Sequence, residues 1–134
     1  MKSIFVSDKD KVEVLIYFAK DKKDEIFISN DKDGLTKQKG IKADTLEEYK
    51  IIFKTPNYGD SISIYKESVK IENGSMKIDP ISLRSNKLIN LLESWTFVDD
   101  NGKPVVVNQK NILNLNAGLA NLIIDELEKI VGEF

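Results

Sequence analysis

The chain has 134 residues, of which 41% are hydrophobic and 31% charged, with a formal net charge of −2. That is enough apolar material for a core, and the mixed charge argues against a dedicated nucleic-acid binder, which carries a basic face. Histidine and cysteine are both absent, which excludes thiol catalysis, histidine-based triads, the common zinc sites and any disulfide framework.

From the N-terminus, Met1-Lys2-Ser3-Ile4-Phe5-Val6-Ser7-Asp8 is charged too early to read as a secretory signal, and no apolar run is long enough for a membrane helix. Residues 12–19 alternate Val12, Val14, Ile16 and Phe18 with Glu13, Leu15, Tyr17 and Ala19, which predicts a strand. Leu15 and Tyr17 make its second face partly apolar. A polar turn at residues 20–24 and a return strand at 25–29 complete a hairpin. Residues 30–45, polar with two glycines, read as a loop. Residues 48–54 read as a further strand, which Pro56 ends because proline cannot continue a ladder.

Tyr58, Ile62, Tyr65 and Val69 recur at helical spacing after the cap candidate Asn57, so a helix is expected over 58–70, stopped by Asn73-Gly74. Asp79-Pro80 then opens a second helix, with Ile81, Leu88, Leu91, Leu92 and Trp95 on its stripe. The segment Phe97–Val107 reads as a turn between short extended arms. Asn101-Gly102 supplies the turn, and Pro104 blocks a central strand. Asn108 caps a short helix carrying Ile112 and Leu115. Asn116 caps the last helix, with Leu119, Leu122, Ile123, Leu127, Ile130 and Val131 as its stripe. The fold class expected is therefore α+β, an N-terminal antiparallel sheet followed by a helical C-terminal half. Residues 1–74 form a β-rich region with one helix at 58–70. Residues 75–134 form a helical region with an excursion at 97–107. Trp95 and Leu92 are expected to pack against Ile123 and Leu127.

Tests for chemistry fail. With Gly102 as sixth residue of a calcium-binding EF-hand loop, the first is Phe97 and the twelfth Asn108; with Gly34 they are Ser29 and Gly40. Neither loop supplies the required carboxylates. Gly102-Lys103 has one glycine and then proline, unlike a phosphate loop. Ser29–Lys32 and Ser63–Lys66 match the serine–lysine spacing of acyl enzymes, but the companion motifs are missing. The lysines at 20, 22 and 23 are interleaved with acids and read as a solvated tip. No catalytic, cofactor-binding or metal-binding residue is expected, and the chain reads as a non-enzyme. The candidate interaction residues are Trp95, of the type that anchors partners, and Tyr17 and Phe27 on the hairpin, whose edge could join another strand.

The segments "FKTPNY" and "LINLLESWTFVDDNGKPVVVNQKNILNLNAGLANLIIDELEKI", within residues 48–131, resemble small proteins from tailed-bacteriophage structural gene clusters, in particular tail assembly chaperones. The resemblance implies a non-enzymatic helper that engages the tape-measure or tail-tube protein, in the host bacterial cytoplasm, during assembly. The alternative it implies is a structural component of the virion, a connector, tail-completion or decoration subunit. Self-association is expected as well; binding to nucleic acid or membrane is not.

Overall fold

The alternation of Val12, Val14 and Ile16 makes the first strand. A computed structural model of the chain, which describes residues 4–132, places them on β1 (Lys11–Asp21), all buried, with the intervening Glu13, Leu15 and Tyr17 on the other face. β2 (Ile26–Ser29) returns antiparallel along the end of β1, with Tyr17 opposite Ser29 and Lys20 opposite Ile26. The five-residue helix α1 (Lys32–Thr36) follows, then β3 (Ile41–Lys54), which pairs with β1 from Lys54 opposite Lys11 to Ile41 opposite Asp21, with a break in register between Phe18 and Lys20. The expected loop at 30–45 is thus half structured. α1 has a single buried residue, Leu35, too little for a periodicity to register. The start of β3 is held by pairing with Lys20 and Asp21, a long-range partner that local pattern does not reveal.

α2 (Tyr58–Glu67) starts at a capping box. The Asn57 side-chain oxygen Oδ1 accepts from the Asp60 N–H, and the Asp60 carboxylate accepts from the Asn57 N–H. The helix stops short of residue 70, and its buried face is not the expected one. Ile64 and the C-cap Ser68 point inward, whereas Tyr58 is 82% exposed. The Ser68 hydroxyl donates to the Ile64 carbonyl at 2.6 Å and accepts from the Asn86 amide at 3.0 Å, so its burial leaves no polar atom unmatched. Residues assigned to the helix end form β4 (Val69–Glu72), which turns into β5 (Ser75–Ile78). Asn73 and Gly74, expected to stop a helix, instead take φ of 52° and 77° and make the two-residue turn of this hairpin.

α3 (Pro80–Leu91) opens as expected at Asp79, whose side chain accepts from the Ile81 N–H. It ends at Leu91. Leu92–Trp95 is β6, an edge strand on β3 with Ile51 opposite Trp95. Trp95 is therefore on a strand and not on a helical stripe, because the free edge of β3 offers backbone partners just where α3 ends. The 97–107 excursion closes through the Val98–Pro104 bridge and the Val105 N–H to Phe97 carbonyl bond of 3.0 Å. α4 (Gln109–Leu113) and α5 (Ala117–Val131) begin at Asn108 and Asn116, whose side chains accept from the Asn111 and Leu119 N–H groups.

The fold is α+β, with a sheet in the order β2-β1-β3-β6, a separate β4-β5 ribbon, and the long helices on one face of the sheet. One core joins Val12, Val14, Ile16, Ile51 and Phe53 of the sheet to Ile64, Leu88, Leu91, Leu92, Ile112, Ile123 and Leu127. Leu92, Ile123 and Leu127 share this core as expected, and Trp95 packs at its margin. Lys87, almost fully buried on α3, meets Glu128 of α5 at 3.4 Å, and Arg84 meets Asp125 at 2.9 Å. α1 contacts β1, β2 and β3 with Leu35 and Ala19 buried outside the main core, which places it on the opposite face of the sheet.

Candidate interaction site

Asp99 of the 97–107 turn has a structural task. The Asp99 carboxylate accepts from the Asn101 N–H at 2.8 Å and the Lys103 N–H at 3.0 Å, and Gly102 takes a φ of 76°. This is an Asx turn built by one side chain bonding the backbone ahead of it. Among the described residues no group of three or more Asp or Glu side chains is placed to hold a metal ion, and no helix is long and apolar enough to cross a membrane.

Trp95 is half-buried. Its indole N–H donates to the Val105 carbonyl at 2.6 Å, so the turn segment is pinned against the sheet. Its ring stands 5.3 Å from Phe97, which continues to Tyr49 at 5.0 Å and from there to Phe18 at 4.7 Å, all tilted. Such tilted pairs add to simple area burial. The Tyr49 hydroxyl donates to Glu47, and burial together with that carboxylate pushes its pKa up to about 12. The array is an internal clamp between β1, β3 and the turn. Trp95 is thereby engaged within its own chain.

Tyr17 and Phe27 lie elsewhere. Tyr17 is opposite Glu48 and Ser29 on the sheet face away from the main core. Phe27 is opposite Ala19 on β2, half-exposed and on the same face as Tyr17, at the border of a groove of about 620 Å³ between β2 and the first half of α5. Ile26, Ile28, Phe18, Leu119 and Leu122 complete its apolar lining. The three candidates therefore do not form one site: Tyr17 and Phe27 share the sheet face away from the main core, with Phe27 at the border of the groove, and Trp95 is on the opposite edge strand.

The groove has a second property. β2 is an edge strand. The Asp21 N–H donates to the Glu25 carbonyl, and bonded pairs alternate along an antiparallel ladder, so Ala19–Phe27 and Tyr17–Ser29 are the next bonded pairs. The N–H and C=O groups of Ile26 and Ile28 then point outward, where no strand of the described residues meets them. Ile26 is 58% exposed. An apolar groove flanked by an open strand edge on one side and a helix on the other suits an extended peptide, which gains backbone hydrogen bonds from the edge and side-chain pockets from the groove. Hairpin pattern singles out Phe27, at the border of the groove, whereas Ile26, Ile28 and Leu122 line it. The signals for them were the shortness of the 25–29 strand and the width of the α5 stripe.

Elsewhere, the β4-β5 ribbon exposes Ile71 at 78% and Met76 at 74%. A further groove of about 390 Å³ between α3, α4 and α5 is lined by Ile81, Leu88, Ile112, Leu113 and Ile124. Compared with protein-family models, characterised proteins and solved structures, the chain matches none.

Proposed function

We propose that this protein is an assembly protein that acts through protein–protein contacts, without catalysis, and that it holds an extended segment of its client in the groove between β2 and α5. The observation that carries this reading is the open edge at Ile26 and Ile28 beside an apolar groove. The resemblance of residues 48–131 to tailed-phage structural-cluster proteins supports a more specific form: a tail assembly chaperone of a phage or prophage, working in the host cytoplasm on the tape-measure or tail-tube protein. A net charge of −2 gives no general electrostatic basis for nucleic-acid binding.

A second reading, a subunit retained in the virion, is favoured by the ribbon, whose exposed apolar side chains would be costly to leave uncovered in a finished soluble helper. One experiment separates the two. The chain is co-expressed with the products of its neighbouring genes and pulled down, and purified particles are assayed by mass spectrometry. The chaperone reading expects a tail protein in the pull-down, its loss with Ile26→Asp, and no trace in particles. A fixed copy number in particles establishes the virion subunit instead. Recovery of neither, with tight salt-sensitive DNA binding, would sink both.

A further inference from the structure

The β4-β5 ribbon buries almost nothing, and its strands make little contact with the rest of the chain beyond the Asp79 N–H to Ser68 carbonyl bond of 2.7 Å at its base. Lys70 stands directly opposite Lys77, an unfavourable cross-strand pair. An isolated two-stranded ribbon is marginal in water even without that repulsion. Its other face is apolar. Val69 is opposite Ile78, and Ile71 is opposite Met76.

The turn fixes which backbone groups are free. In a two-residue hairpin the residues flanking the turn, here Glu72 and Ser75, form a bonded pair, and Lys70–Lys77 is the next. The N–H and C=O groups of Met76 and Ile78 therefore point away from β4. On β2 the outward groups belong to Ile26 and Ile28. On both strands the residues with free backbone groups are the ones with apolar side chains on a single face, and both strands are four residues long.

We infer that the ribbon of one molecule adds to the β2 edge of a second copy. Antiparallel addition sets Met76 opposite Ile28 and Ile78 opposite Ile26, with their side chains entering the groove beside Leu122. Lys77, which has no ion pair among the described residues, then faces the side of the sheet that carries α1, with Asp31 and Asp33 beside Lys32. A chain's own ribbon is badly placed for this. β3 leaves the sheet at Lys54, opposite Lys11, whereas β2 lies beside Tyr17–Lys20, roughly 20 Å or more along β1 at about 3.3 Å per residue.

The contact is heterologous, so repetition gives a ring or an open chain. Four to six side chains from each partner, at on the order of 100 Å² each, bury no more than the ~1,200 Å² at which standard stable interfaces begin. Single contacts are therefore weak, with a Kd expected between about 10 µM and 1 mM. The inference goes beyond the assembly reading and does not depend on which client that reading assigns.

The test uses the full chain in sedimentation velocity over a concentration series. Wild type is expected to associate reversibly. Met76→Asp on the ribbon and Ile26→Asp on the groove, both at exposed positions, are each expected to weaken association at least tenfold while far-UV circular dichroism and Tm stay unchanged. Mixed together, the two variants are expected to form a 1:1 dimer, because each retains the half that the other lacks. A wild-type chain that stays monomeric to millimolar concentration overturns the inference. So does association that survives Met76→Asp, or a mixture of the variants that stays monomeric. Binding of the groove to a different protein only, with no self-association, replaces the second copy with that protein and also overturns it.

Discussion

The four-stranded sheet and the β4-β5 ribbon are built from similar residues and meet opposite fates. In the sheet, Val14, Ile16, Ile51 and Phe53 are at most 2% exposed beneath α3 and α5. In the ribbon, Ile71 and Met76 are three-quarters exposed. The alternation is the same; what differs is whether a helix lies on the apolar face. Alternation marks a face that seeks cover, and the cover comes from the same chain in one case and is left to another surface in the second.

That contrast can be broken by substitution. Phe53→Ala, at a fully buried position of β3, should cost about 3–5 kcal/mol in denaturant unfolding; a loss below about 1 kcal/mol would mean that the sheet is not the stabilising unit. Trp95→Ala should cost less, roughly 2–3 kcal/mol, because the ring is only half-buried and its truncation strips the Val105 bond together with part of the aromatic array. Trp95→Phe retains ring packing and should cost about 1 kcal/mol, the usual net value of a hydrogen bond. Asn116→Ala removes the acceptor for the Leu119 N–H at the start of α5 and should cost about 1 kcal/mol. Ile71→Ser with Met76→Ser, on the ribbon, should shift the stability of the dilute protein by no more than about 0.5 kcal/mol. A loss as large as that of Phe53→Ala would erase the distinction between the two regions.

Much of the sheet was legible because one face is buried and the other is not. Val12, Val14 and Ile16 carry that signal, and so do the caps Asn57, Asp79, Asn108 and Asn116, which act locally. Elements that depend on a distant partner were not legible. Residues 41–45 look like a loop and become strand because Lys20 and Asp21 are there to pair with. Leu92–Trp95 continues a helical stripe in sequence and switches to strand against Ile51. Val69–Glu72 fits a helical spacing equally well, and only the positive φ of Asn73 and Gly74 decides for a hairpin. The candidate site was half legible for the same reason. Phe27 could be read from its hairpin, but the groove exists only once α5 lies beside β2.

The central claim is that the β2 edge and the ribbon are left open by the chain's own fold, and residue-resolved amide hydrogen exchange tests it most directly. In dilute protein the account predicts alternating protection along β2. The Phe27 amide, bonded to Ala19, should exchange slowly, whereas the Ile26 and Ile28 amides exchange fast; those of Met76 and Ile78 should be fast as well, and Ile51 and Phe53 should be protected near the global limit. Slow exchange at Ile26, Ile28 and Met76 in dilute protein, matching that at Ile51, would contradict it.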